Sequence, residues 1–100
     1  MNAGKLNDRI TFQSRGTDKW QDRLTTHADM RILSGEETIE AGRTVAQLVV
    51  EFSVRNVSAL EELRTSWRIR RLGHNETYNI RRIDRDTNRH RVILRCEGGK

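Results

Sequence analysis

Leu48-Val49-Val50-Glu51-Phe52-Ser53-Val54-Arg55 is the stretch on which the fold turns. Leu48, Val50, Phe52 and Val54 alternate with Val49, Glu51, Ser53 and Arg55, the period of two that a strand with one buried face requires. It predicts the longest strand of the chain. The same alternation recurs downstream in residues 66–72, 77–83 and 91–97, where the apolar set is Trp67 and Ile69, then Tyr78 and Ile80, then Val92, Leu94 and Cys96. Turn residues separate them, over 73–76 and 84–90. Arg82 and Ile83 invert the phase of their strand, which predicts a bulge or a strand end there.

Upstream, residues 6–13 place Leu6, Ile10 and Phe12 on one face and Arg9, Thr11 and Gln13 on the other. Residues 14–23, polar apart from Trp20, predict a loop or hairpin tip, and Ala28, Met30 and Ile32 mark a second strand over 26–33. Between these strands and the central one lies a different signal. Ser34-Gly35-Glu36-Glu37 is a capping box, which predicts a short helix over about 36–41 that stops near Gly42, within an inserted segment of about 34–47. A second Ser-x-x-Glu, at Ser58 and Glu61, predicts a helical turn. Six short strands with one inserted helix make a mostly β domain, a small antiparallel barrel or sandwich. Its predicted core is Ile10, Phe12, Met30, Val50, Phe52, Trp67, Ile69, Tyr78, Ile80, Val92 and Leu94.

With 100 residues, 34% hydrophobic and 33% charged, the chain reads as one domain over 1–100 with a thin core. The longest apolar run, Leu48-Val49-Val50, is far short of the roughly 20 residues of a membrane helix, and the first residues lack the apolar region of a signal peptide. The expectation is a protein of the cytosol with no membrane partner. One cysteine, Cys96, and three scattered histidines, His27, His74 and His90, give no disulfide framework and no metal-ligand spacing.

Catalysis has little to stand on. The chain has no nucleophile elbow, phosphate-binding loop, His-Glu-x-x-His motif or dinucleotide turn. Cys96 is in phase with Val92 and Leu94 and reads as a buried thiol, and the Glu36, Glu37 and Glu40 cluster reads as a solvated face. The expectation is a non-enzyme without cofactor, catalytic residue or metal.

Charge is the informative feature. Residues 1–63 carry 8 basic and 10 acidic groups, whereas residues 64–100 carry 11 and 4, so a net of −2 is followed by a net of +7. Sixteen of the 19 cations are Arg, whose planar fork suits carboxylates and phosphates. Arg68, Arg70, Arg81, Arg91 and Arg95 fall opposite the apolar positions of the last three strands. Three readings stand for this face: plain solvation, an acidic subunit surface, or nucleic-acid phosphate. Base recognition is the least supported, because Phe52, Trp67 and Tyr78 fall on core positions.

Taken together, Leu6-Asn7-Asp8-Arg9-Ile10-Thr11-Phe12-Gln13, Ser34-Gly35-Glu36-Glu37, Tyr78-Asn79-Ile80 after a Gly-bearing turn, and Leu94-Arg95-Cys96 resemble the head-tail joining proteins of tailed bacteriophages, also called head-closure or stopper proteins. The similarity spans about residues 5–97. His27-Ala28 stands where that family often has Trp-Ala, and the proline frequent before Ser-Gly is missing. The resemblance implies a small β-barrel, monomeric or weakly associated when free, that forms a ring in the virion neck after assembly in the host cytoplasm. Its implied partners are a portal or adaptor protein, a tail protein and further copies of itself, with non-specific contact to genomic DNA. The implied role is mechanical: closing the DNA exit channel after packaging and giving the tail a docking surface. Ser34, Glu36, Glu37, Glu40 and Arg43 would then belong to a loop that faces the channel or a neighbouring subunit, loosely held until the ring forms. The basic strand face would meet protein or DNA. The alternative from another class is a small basic oligonucleotide-binding β-barrel, motivated by the +7 segment.

Overall fold

A computed structural model of the chain describes residues 8–40 and 43–98. Its strands are β1 (Asp8–Arg15), β2 (Trp20–Glu40), β3 (Arg43–Arg55), β4 (Arg68–Arg71), β5 (Glu76–Asp86) and β6 (Arg91–Gly98). Every pairing is antiparallel, and the hydrogen-bonded order β1-β2-β3-β6-β5-β4 returns from β4 to β1, closing a barrel. Closure removes the free edges that an open sheet of six strands would expose.

The alternating apolar residues of the strands point inward and fill the barrel, except Ile32, which beside the β2 bulge is left exposed. Ile10, Phe12, Val50, Phe52, Val54, Ile69, Tyr78, Val92, Leu94 and Cys96 have no exposed surface, and Trp67 and Ile80 are nearly as buried. Of the core expected from the sequence, Met30 alone is only half-buried. The ladder explains it: β1 accompanies β2 only from Trp20 to Ala28, so Met30 lies beyond its described partner strand. Leu6 and Gly42 lie outside the described residues.

The phase inversion in β5 is a bulge. Ile80 pairs with Cys96 and Arg82 pairs with Arg95, leaving Arg81 as the extra residue, after which Ile83 faces Leu94. Two further irregularities, at Phe12/Gln13 and at Ile32/Ser34, had no comparable sign in the sequence. Gly98 ends β6 opposite Leu48 and Tyr78 at φ +153°, with the Thr77 carbonyl oxygen 2.3 Å from where a Cβ would stand. No other residue fits there without a shift.

Three sequence expectations are corrected. Residues 36–41 are not helical: 36–40 continue β2 and pair with 43–47 of β3, from Glu36 opposite Gln47 to Glu40 opposite Arg43. A helix of about six residues has no stability of its own, whereas each added rung of an existing ladder needs no new nucleus. Thr38, Ile39, Thr44 and Val45 are β-branched and favour the strand. Second, the tip between β1 and β2 is only residues 16–19, closed by the Gly16 N–H donating to the Lys19 carbonyl at 2.8 Å. Gln21 and Asp22 are strand residues that remain exposed, paired with Ser14 and Gln13. Third, β2 with 21 residues, not β3 with 13, is the longest strand.

Ser58 and Glu61 do mark a helical turn, a 3-10 turn over Ser58–Leu60. The segment between β3 and β4 that carries it folds across one mouth of the barrel and buries Leu60, Leu63 and Trp67. Arg85 Nη2 donates to the Leu60 carbonyl at 2.9 Å, and Arg23 packs over Trp67 while pairing with Glu62 at 2.7 Å. The opposite mouth, where β1 and β5 begin and β4 and β6 end, is the one from which β2 and β3 continue outward as a two-stranded arm. Among the described residues no helix is long and apolar enough to cross a membrane.

Candidate functional site

The arm is the largest feature that barrel closure leaves unexplained. Among the described residues, β3 keeps β6 as a neighbour only as far as Leu48, and beyond it five rungs of β2 and β3 pair with each other alone. At roughly 3.4 Å per residue they reach about 17 Å past the barrel. Ser34, Glu36, Glu37, Glu40 and Arg43, read from the sequence as an exposed loop, all lie on these two strands, with Ser34 paired to Val49 beside the bulge at its root. Ile32, next to that root, is 60% exposed.

At the base of the arm, three strands are tied by one guanidinium. Arg71 on β4 bonds Asp8 of β1 at 2.9 Å and Glu76 of β5 at 3.0 Å, and the Tyr78 hydroxyl donates to the same Glu76 oxygen at 3.0 Å. Burial opposes the charge of Arg71, yet its bonds to Glu76 and Asp8 raise its pKa above the ordinary value. Burial also opposes ionisation of Glu76, but hydrogen bonds from Arg71 and Tyr78 hold its carboxyl below the usual range. Burial first, then the bond to Glu76, pushes the Tyr78 phenol up to about 12. The cluster is a clasp: Arg71 and Tyr78 converge on Glu76, and Arg71 also holds Asp8.

The five arginines assigned to one face divide into separate environments, although β4, β5 and β6 are indeed neighbours. Arg81, in the bulge, lies 3.5 Å from Glu97. Arg91 donates from Nε to Ser53 Oγ at 2.8 Å and lines a polar hollow of about 400 Å³ with Asp29, Arg31, Glu51 and Arg89. Arg95 faces Glu51 on one side and Arg82 on the other. These positions alternate with acids, so the outer wall over β3, β6 and β5 is mixed in charge.

Arg68 and Arg70 stand apart from them, because β4 turns toward β1. Arg68 packs 4.2 Å from the centre of the Trp20 ring, and Arg15 packs on the same indole at 5.3 Å. Arg68 also donates to Gln13 Oε1 at 2.7 Å, and Gln13 in turn donates to Asp22 at 2.7 Å. Burial, then the charges of Arg70 and Arg15, lowers the pKa of Arg68. Sequence reading missed Arg15 and Trp20, which it assigned to a loop. Their alternation with Gln13 and Asp22 on the outer face was the available signal.

Cys96 is fully buried, and burial pushes its thiol up to about 12. Among the described residues no group of three or more His, Cys, Asp or Glu side chains gathers where a metal ion could be held.

Residues 1–98 match the model of a protein family described as phage head completion protein. Among solved structures, a chain of the virion of a native gene transfer agent particle has the same fold. Its TM-score is 0.64 over 96% of this chain and 96% of that one, at 15% sequence identity. No curated protein matches the sequence.

Proposed function

The chain belongs to the phage head completion protein family, structural proteins of the virion, and from that premise we propose that it is the neck subunit that joins head to tail. In this reading copies of the barrel form a ring against a portal or adaptor protein, the ring closes the DNA exit channel after packaging, and its far side receives a tail protein. The observation that carries it is the arm: ten paired residues continue about 17 Å past the last rung that β3 shares with β6. A two-stranded ribbon of this kind is rarely stable alone and gains from neighbours, as in a ring where each arm lies beside the next. Glu36, Glu37 and Glu40 make it acidic, so arms gathered in the channel would repel DNA phosphates and oppose their exit. The free subunit is a monomer or a weak oligomer, and the ring needs its template.

The alternative of an oligonucleotide-binding barrel is weaker, since Phe52, Trp67 and Tyr78 are buried and offer no stacking platform. Electron microscopy of particles carrying a labelled subunit tests the proposal. The label is expected as a ring between capsid and tail. A label elsewhere in the virion, or particles lacking the subunit that still hold DNA and bind tails, would overturn it.

A further inference from the structure

Arg15 and Arg68 pack on Trp20 at the mouth of the barrel opposite the arm, Arg70 follows Arg68 by two residues on β4, and among the described residues none of the three makes an ion pair. Their partners are neutral: the Trp20 ring, Gln13 for Arg68, and Asn75 Oδ1 for Arg70 at 3.1 Å. Arg23, Arg31, Arg71, Arg81, Arg82 and Arg89 each have a carboxylate partner within the protein, and Arg85 has a backbone carbonyl instead. The carboxylates within reach along these strands are already committed. Asp22 is held by Gln13, and Asp8 and Glu76 are held by Arg71. Three like charges brought together without a counter-ion destabilise one another, so the arrangement favours an anion supplied from outside.

We infer that this Arg15, Trp20, Arg68 and Arg70 patch is a docking anchor for a carboxylate-bearing segment of another protein. The indole holds two guanidiniums in place before a partner arrives, which lowers the ordering cost of binding, and Arg with Trp is the composition of interface anchors. Nucleic acid fits less well. The ring is already packed by two side chains and is no open platform for a base. Because the patch and the arm lie at opposite ends of the barrel, its occupant meets the end of the subunit away from the arm. This placement does not depend on what the arm does.

The experiment is titration of the intact protein with an oligoglutamate peptide, and separately with duplex DNA, followed by two-dimensional NMR of the two indole N–H groups. Trp67, buried beneath Arg23, serves as the internal reference. The peptide is expected to shift the Trp20 signal and leave Trp67 in place. Arg70→Gln, which does not touch the indole and so leaves the stack intact, is expected to weaken binding about tenfold. Arg15→Gln should act similarly, whereas Arg89→Gln, an equal loss of charge at an exposed site, should change it little. The inference is overturned if the peptide fails to shift Trp20, if the Arg89 variant weakens binding as much as the Arg70 variant, or if duplex DNA displaces the peptide from Trp20.

Discussion

Phe52 of β3 and Tyr78 of β5 meet edge to face inside the barrel, with ring centres 5.3 Å apart and planes at 76°. They belong to strands that flank β6 and are not hydrogen-bonded to each other, so the contact ties β3 to β5 across the inner side of β6. Truncation by Phe52→Ala should cost about 3–5 kcal/mol, a large share of the stability of so small a domain. Denaturant unfolding measures it, and a cost below about 1 kcal/mol would reject this packing.

The clasp of Arg71, Asp8, Glu76 and Tyr78 makes stability fall in acid. The folded-state pKa of Glu76 is lowered from 4.5, so its stabilising contribution is present above that value and is lost as pH falls through the lower, folded one. Glu76→Gln should cost about 1–2 kcal/mol near neutral pH and flatten the acid limb of the stability profile. Arg71→Ala should cost more, because it leaves two carboxylates facing each other. An unchanged acid limb in Glu76→Gln would count against the clasp.

In alkali the sign reverses. Cys96 and Tyr78 hold their protons in the fold up to about 12, while in the unfolded chain they lose them from 9.0 and 10.0. The unfolded state therefore binds fewer protons above pH 9.0, and stability declines from there until the folded groups also ionise. Cys96→Val removes the first part of this decline. Urea midpoints across the alkaline range should show the onset moving up toward the tyrosine value, and identical profiles for parent and variant would exclude the thiol as its cause.

Gly98→Ala is expected to destabilise by about 1–3 kcal/mol, because the new methyl group would meet the Thr77 carbonyl oxygen and Tyr78 Cα at the closing seam of β5 and β6. Thermal unfolding decides it. A melting temperature equal to the parent's would mean that the seam relaxes freely.

Replacing residues 36–47 with an Asn-Gly turn joins Gly35 to Leu48 across a rung that already exists. The barrel should keep its fold and, within about 1 kcal/mol, its stability, since among the described residues the removed strands pair only with each other. On the proposed function, particles assembled with this variant should package DNA and then lose it. Genome retention equal to the parent's would end the assignment of the arm to channel closure.

The sequence by itself determined which residues face inward. Alternation through Ile10, Phe12, Val50, Phe52, Ile69, Tyr78, Ile80, Val92 and Leu94 is a local property of each strand, and burial followed it. The phase flip at Arg82 and the turn at Ser58 were legible for the same reason, each being encoded within a few residues. Closure of β4 onto β1 was not, and neither was the arm. A capping box is a local signal worth about 1 kcal/mol, and it lost to a ladder that continues the β2–β3 pairing begun in the barrel wall. The meeting of Arg15 with Arg68 on Trp20 lay further out of reach. Those side chains come from three strands, and only the closing of the barrel, a non-local pairing set by the shared core, brings them to one place.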